Sequence, residues 1–495
     1  MEYTSTRNNK VRVTSAQAIA QGISPDGGLF VPCEIPSISL SDIVSLSELD
    51  YRGRAAKVLG LYLTDFTADE LAGMVGKAYG EKFDTSNPAP LHKLSSSEYV
   101  QELWHGPTCA FKDMALQLLP YLLTASAAKT SPDKTIVILV ATSGDTGKAA
   151  LEGFRDVDGT KIMVFYPVDG VSNMQKLQMM TQEGENVAVC AIEGNFDDAQ
   201  TGVKKIFTDS VVKDRLASAG MYFSSANSIN WGRLVPQIVY YVSAYCDLLN
   251  EGAVKLGDSI DVVVPTGNFG NILAAYYAKK MGIPIGKLVC ASNANNVLTD
   301  FISTGTYDRN REFFATVSPS MDILISSNLE RLLYHVSGED SEKIACYMKA
   351  LSDDGKYTVE TGIKDAVSEL FSGVYCDDKT TAKVISETFD KYGYLVDTHT
   401  AVALNAYNVY SGGNNDDRVT VVVSTASPFK FTTSVLPAVK TPESADDFEL
   451  MNELADFAKI KVPAPLASLQ GKAKRFEDVC APDEMPEAVI KMLGI

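Results

Sequence analysis

Thr135-Ile136-Val137-Ile138-Leu139-Val140-Ala141-Thr142-Ser143-Gly144-Asp145-Thr146-Gly147 is the stretch that decides the fold. A short, continuous apolar run ends in a turn rich in hydroxyls and glycine, and a helical pattern follows from Lys148. Such a run reads as a strand buried on both faces, which is the habit of parallel sheets. The pattern repeats downstream, with strand-like 161–166 before a helical 172–180, and 186–192 before 197–208. Strand, helix, strand at this spacing predicts crossover helices packed on a parallel sheet. A second series starts at 261–264, passes through a glycine turn and a helix containing Tyr276 and Lys280, and returns as a strand at 287–291. A last strand at 419–423 leads into Ser424-Thr425-Ala426-Ser427-Pro428. The expected fold is α/β, with two open, mostly parallel sheet domains flanked by helices.

Outward from these two units the chain divides by composition. Residues 1–93 carry turn signals at Ser24-Pro25-Asp26-Gly27-Gly28 and helical spacing at 41–49 and 68–79, which predicts a mostly helical N-terminal lobe. Residues 94–226 form the expected smaller α/β domain and 227–440 the larger. The larger domain includes a helical, charged insertion at about 297–397 that covers or braces it. Residues 441–495, polar and Pro-containing, read as a C-terminal appendage.

Charge removes several function classes. The 62 acidic against 44 basic side chains leave a net charge of −18, which repels phosphate backbones and anionic lipid, so nucleic acid and membrane are not expected partners. No apolar run approaches the roughly 20 residues of a membrane span. The opening MEYTSTRNNKVRV lacks the apolar centre of a signal peptide, so a cytoplasmic location is expected. Eight cysteines without any C-x-x-C suit reduced thiols, and four histidines without H-x-x-x-H give a metal little to bind.

Five short segments could carry chemistry. In His105-Gly106-Pro107-Thr108-Cys109-Ala110-Phe111-Lys112-Asp113-Met114-Ala115, a lysine opens a helix predicted to run through Leu119. The helix dipole disfavours a cation there, so the proton should leave more readily, and only a neutral amine attacks a carbonyl. The same pattern also fits a surface lysine whose stem lies on apolar neighbours. Val264-Pro265-Thr266-Gly267-Asn268-Phe269-Gly270-Asn271 is a glycine turn between strand and helix. It is suited to an anion such as a phosphate or to a purely structural turn. Thr142–Gly147 sits at the C-terminal end of its strand, the edge where open α/β sheets bind ligands, and it suits a carboxylate; its alternative is a helix cap by Asp145 or Thr146.

Asn227-Ser228-Ile229-Asn230-Trp231-Gly232-Arg233 gathers amides, a hydroxyl and a guanidinium, either as an anion site or as a polar helix start. Ser424-Thr425 ends a buried-looking strand and turns the chain or offers a hydroxyl to a ligand ring. Asp397–Thr400 contains His399, read as a satisfied core or capping histidine.

An imine-type lysine, a phosphate-type glycine loop, a carboxylate-type turn and a strand-end hydroxyl together describe an enzyme that uses pyridoxal phosphate. Taken in order, these segments resemble the threonine synthases, within the tryptophan-synthase-β-like, fold type II group of pyridoxal phosphate enzymes. The resemblance spans nearly the whole chain. It includes Ser24–Pro32 and Pro428-Phe429-Lys430-Phe431, typical of the longer microbial and fungal form. Asp145 points the same way, because cysteine synthase and the dehydratases usually carry Asn in that turn.

What the resemblance implies is conversion of O-phospho-L-homoserine and water to L-threonine and phosphate by γ-elimination and β-addition. Lys112 would hold pyridoxal 5′-phosphate as a Schiff base and then shuttle protons. Gly267, Asn268, Phe269, Gly270 and Asn271 would cradle the cofactor phosphate. Thr425 would face the pyridine nitrogen and Phe111 would pack beside the ring. Ser143, Gly144, Asp145, Thr146 and Gly147 would receive the substrate carboxylate. Asn227, Ser228, Asn230 and Arg233 would receive the substrate phosphate. An ionised Asp145 cannot itself bind a carboxylate, so it acts through its backbone amide or meets the substrate amine or the cofactor O3′. No metal is implied, and the chain is expected to be a monomer or homodimer. Two other readings stand beside this one: a dehydratase that releases a keto acid, and a protein that binds the cofactor and a phosphorylated ligand without turnover.

Overall fold

Thr135–Ala141 is a strand, buried from Ile136 to Val140, and it pairs in parallel with Thr160–Pro167 on one side and Met221–Ser224 on the other. The computed structural model describes residues 1–131, 133–142, 144–169, 171–413 and 418–495. Thr160–Pro167 pairs with Val187–Ile192, and the short strand Val479–Cys480 closes that edge, so the smaller sheet has five parallel strands. The crossovers are helices Asp145–Phe154, Asn173–Met180, Phe196–Thr208 and Ser210–Ser218. The larger sheet has six strands in the order Phe371–Tyr375, Ile285–Ser292, Ile260–Pro265, Thr420–Ser424, Glu98–Glu102 and Leu91–Lys93. All of its pairings are parallel except the last. The two-unit α/β expectation therefore describes the molecule.

Several boundaries shift. Glu98–Glu102 pairs with Thr420–Ser424, so the chain builds part of the larger sheet before it enters the smaller one, and a division at residue 94 does not follow the sheets. The insertion at 297–397 is helical over Val297–Thr304, Leu329–Val336, Ser341–Asp353, Thr361–Leu370 and Asp378–Tyr392, yet it also supplies the edge strand Phe371–Tyr375. The appendage is tied to the smaller sheet through Val479–Cys480. The N-terminal lobe has its helices, but Asn8–Val13, Tyr3–Ser5 and Phe30–Pro32 form an antiparallel sheet beside them. Strands of three residues leave too little periodicity to read.

The helix predicted from Lys112 through Leu119 is two helices, Asp113–Leu116 and Leu119–Thr130. Pro120 lies in the first turn of the second, where its missing N–H costs no intrahelical bond, so the helix restarts there. Behind the lysine runs the twenty-residue helix Trp231–Asn250, buried along almost its whole length. Its Trp231 packs edge-on to Tyr3 and Tyr277 at 5.4 Å, which anchors the N-terminal lobe to the larger unit. Among the described residues all eight cysteines are free, no helix is long and apolar enough to cross a membrane, and no cluster of metal-ligating side chains is found.

Candidate active site

The segment before Lys112 is laced to the end of strand Thr420–Ser424. Leu103 N donates to Ser424 O at 3.0 Å, Phe111 N to Thr425 O at 2.8 Å, and Ser427 N to Cys109 O at 3.0 Å. Cys109 takes a left-handed backbone, φ 56°, as does Phe269, φ 60°, in the glycine turn of the larger sheet. Non-glycine residues avoid that region unless their surroundings impose it, and such strain collects at functional sites.

Lys112 is the residue before helix Asp113–Leu116, as the sequence pattern required. Its Nζ donates to Ser320 Oγ at 3.4 Å and lies 5.0 Å from the centroid of the Phe111 ring. Burial pulls the ammonium down to about 8, with Asp145 opposing and Lys430 and Arg233 adding to the effect. The predicted direction therefore holds for a different reason: desolvation and neighbouring cations act here, and a four-residue helix has little dipole to offer. Next to it, Asp113 is fully buried. Burial pushes its carboxyl up to about 6, although Thr108 donates to it from both N at 2.8 Å and Oγ1 at 2.9 Å.

The turn after Thr135–Ala141 is built by Thr142, whose Oγ1 accepts from Gly144 N at 3.0 Å and Gly147 N at 2.9 Å. Gly144 has φ 142°, open to glycine alone, and the side chain of Gln175 fills the space a Cβ would need. Neither Asp145 nor Thr146 caps the helix, which has no side-chain cap of its own. Ser143 lies outside the described residues. The Asp145 carboxylate is buried: Oδ1 meets Lys430 Nζ at 2.7 Å and Gln175 Nε2 at 2.9 Å, and Oδ2 accepts from Ser320 Oγ at 3.4 Å. Burial alone would raise its pKa, but the Lys430 and Lys112 ammoniums hold it well below the usual carboxylate range.

The turn after Ile260–Pro265 contrasts with it. Gly267 O accepts from Ser326 Oγ at 2.7 Å, and Asn268 O from Asn328 N at 3.1 Å. Phe269 precedes helix Gly270–Met281 without a side-chain cap. A Cβ on Gly267 would stand 2.8 Å from Ser320 O. Asn271 accepts from the Tyr240 and Tyr241 hydroxyls, both at 2.5 Å, while its Nδ2 is buried with no partner. A bare helix start, a missing Cβ and an unspent amide donor together fit a phosphate.

The third segment divides. Arg233 is buried. One guanidinium nitrogen donates to Ala226 O at 2.6 Å, its Nε has no partner, and burial lowers it to about 10, so it stays charged at neutral pH. Asn230 is a helix cap: Oδ1 accepts from Gly232 N at 2.8 Å, and Nδ2 donates to Ile19 O and Ser225 O. Both amide hydrogens are spent, so the expected phosphate contact from its side chain is not available. Asn227 is exposed and Ser228 half-buried, and the latter's backbone oxygen accepts from Asn328 Nδ2 at 3.3 Å.

Ser320, from the insertion, touches Lys112 and Asp145 and abuts Gly267, so the insertion reaches this cluster and does more than cover or brace the larger unit. No local pattern marks it, or Gln175. Lys430 had a usable signal, because Phe429-Lys430 repeats the Phe-Lys pair of Phe111-Lys112.

Residues 2–79 match the family model described as threonine synthase N terminus, 84–425 the one described as pyridoxal-phosphate dependent enzyme, and 400–490 the one described as threonine synthase, C-terminal. The chain is 42% identical over 439 residues to threonine synthase-like 1 of Homo sapiens, covering 86% of this chain and 58% of that protein's length. It is 38% identical to a threonine synthase of Pseudomonas aeruginosa, over 88% of this chain and 90% of that one. The crystal structure of PLP bound threonine synthase from Brucella melitensis superimposes with a TM-score of 0.89 at 35% identity, covering 99% of both chains.

Proposed function

This chain belongs to the threonine synthase family of pyridoxal-phosphate dependent enzymes, and on that premise we propose that it converts O-phospho-L-homoserine and water into L-threonine and phosphate with pyridoxal 5′-phosphate as its cofactor. The observation that carries this reading is the meeting of Lys112, Asp145 and the Gly267 turn on Ser320, with the Arg233 guanidinium near enough to depress the lysine. One amine, one neutralised turn, one bare turn and one spare guanidinium match a reaction with an imine, a carboxylate and two phosphates.

The cofactor, when bound, supplies the electron sink that stabilises negative charge next to the substrate amine. The chain's own residues do the rest. Lys112, near 8, has an appreciable neutral fraction at neutral pH, so its amine can form the cofactor link and then take and return protons at the substrate's Cα and Cβ. Gly267–Asn271 offers backbone amides and Asn271 Nδ2 to the cofactor phosphate, and Thr425 holds a hydroxyl at the strand end for the ring nitrogen. Phe111 lies against the Lys112 amine and packs beside the ring.

Asp145 has both acceptor positions of Oδ1 filled and stays ionised, so its side chain does not take a carboxylate. Lys430 cancels its charge, and the substrate carboxylate is received by the backbone amides of Asp145 and Thr146, with the Thr146 hydroxyl beside them, while the amides of Gly144 and Gly147 stay on Thr142 and hold the turn in shape. Arg233 Nε, Asn227 and Ser228 receive the substrate phosphate, with Asn230 shaping the turn. Eight free thiols suit the reducing cytoplasm, the location we propose.

Purified chain is mixed with O-phospho-L-homoserine and pyridoxal 5′-phosphate, and phosphate and threonine are measured together. Equal amounts are expected. Phosphate accompanied by a keto acid would move the activity to elimination, and a cofactor band without either product would leave a binding protein.

A further inference from the structure

Behind the site lies a pair that the reaction scheme does not use. Asp397 is fully buried. Its Oδ1 accepts from Thr400 N at 3.0 Å and from the Thr400 hydroxyl; its Oδ2 accepts from His399 N at 3.0 Å and stands 2.7 Å from His399 Nδ1. A carboxylate only accepts, so the proton of a neutral His399 ring sits on Nδ1 and Nε2 is bare. Ser320 N donates to that bare Nε2 at 3.1 Å. The ring is 2% exposed and packs on Phe431, with centroids 4.8 Å apart, so it has no room to turn.

The polarity continues through the Ser320 side chain. Its hydroxyl has one hydrogen, and Asp145 Oδ2, at 3.4 Å, can only accept it. The oxygen of Ser320 is left to accept, and Lys112 Nζ is the donor, at 3.4 Å. One N–H of Lys112 is thereby committed to Ser320 and the amine's lone pair is turned away from it. We infer that His399, kept in its Nδ1–H form by Asp397, is a positioning residue that holds Ser320 by its backbone amide, and that the Ser320 hydroxyl sets the direction in which the Lys112 amine presents its lone pair.

This rests on Lys112 being the reacting amine, and it adds a device reaching the site from a helix start 79 residues away from Ser320. Ser320 stands in the three-residue 3-10 turn Pro319–Met321, a short element that needs such an outside hold. The geometry requires acceptor character at Nε2 and donor character at Nδ1. An ordinary core histidine would serve equally well in either tautomer.

The test uses the full chain in two arms. With only four histidines, nitrogen NMR of histidine-labelled, cofactor-free protein can resolve His399. The expected signature is a protonated Nδ1 and a bare Nε2, and a protonated Nε2 would overturn the inference whether or not the chain makes threonine. In the second arm, cofactor-free protein is mixed with pyridoxal 5′-phosphate and the rate of Schiff-base formation is followed by absorbance. Ser320→Ala, His399→Leu and Asp397→Asn should each slow it about tenfold, and Ser320→Ala with His399→Leu should be no slower than the worse single variant, because both act through one contact. His399→Gln, which keeps an acceptor where Nε2 stands, should recover to within about twofold of the parent. Unchanged rates in Ser320→Ala and His399→Leu, or a His399→Gln variant as slow as His399→Leu, would also overturn it. If the chain formed the Schiff base with these rates but released no threonine, the proposed reaction would fail and the positioning role would stand.

Discussion

The two glycine turns at the sheet ends are alike in outline and opposite in charge. Each follows a buried parallel strand, needs a glycine where another backbone or side chain crowds in, and opens a helix without a side-chain cap. The turn at Gly144–Gly147 begins its helix with a carboxylate of its own, Asp145, and needs Lys430 to cancel it. The turn at Gly267–Asn271 has no acid and no side-chain cap, and Asn271 Nδ2 is buried without a partner. A resident acid at a helix start weakens its hold on a visiting anion unless a cation cancels that acid. The bare turn is therefore suited to a doubly charged phosphate, and the occupied turn to a singly charged carboxylate placed by backbone geometry.

Substitutions can break this contrast or sharpen it. The largest effect should come from Lys112→Ala, which removes the proposed reacting amine. Turnover should fall by about a thousandfold or more, as expected for loss of a covalent and proton-moving residue, while circular dichroism stays unchanged. Full activity in that variant would dissolve the comparison, because the turns would no longer share a purpose. In the parent chain, the rate of cofactor uptake should rise as pH increases through about 8, where the amine loses its proton.

Lys430→Met should fall hardest on the Asp145 side. It leaves a buried carboxylate without its cation, a loss of about 3–5 kcal/mol in urea unfolding at neutral pH. Adding Asp145→Asn should recover most of it. The sign is fixed by the depressed carboxyl of Asp145: its stabilisation is present above the ordinary value near 3.9 and lost as pH falls through the lower folded value. The penalty in Lys430→Met should accordingly shrink below about pH 4. A single variant as stable as the parent at pH 7 would show that the ion pair is not what balances this turn.

Gly267→Ala should act first on the other turn, since its Cβ would stand 2.8 Å from Ser320 O. An overpacking cost of about 1–3 kcal/mol corresponds to roughly 10–100-fold weaker cofactor binding, readable by equilibrium titration. Unchanged affinity would remove this turn from the cofactor site. The effect that is smallest at acid pH and shows only as a pH slope should be that of Asp113→Asn. The Asp113 carboxyl is raised to about 6, so the folded chain binds a proton that the unfolded chain has released, and stability falls as pH rises from about 4 to 6, by up to about 1.4 kcal/mol per unit. Thermal unfolding at several pH values should lose that slope in the variant.

The outline of both turns was legible because it is a local matter. A buried run, a glycine and a following helical period are set by neighbours within a few residues, so 135–147 and 260–271 could be read from side-chain pattern alone. Boundaries were less legible where pairing decides: Glu98–Glu102 joins the larger sheet through Thr420–Ser424, and nothing in its own five residues says which sheet will take it. Asn230 shows a related limit. Its type suits either a ligand or a helix cap, and only the packing of Ile19 and Ser225 around it shows that its hydrogens are spent.

The sequence by itself determined the α/β class, the place of Lys112 just before a helix and the order of the loops, because strand, turn and helix propensities act over a few residues. Only the tertiary structure decided which charges meet. The salt bridge of Lys430 to Asp145, and the contact of Lys112 with Ser320 across 208 residues, exist because two sheets and an insertion pack around one point. Burial there strips water from the charged groups, and it is this desolvation, which no local pattern encodes, that lowers one lysine and obliges another to pair.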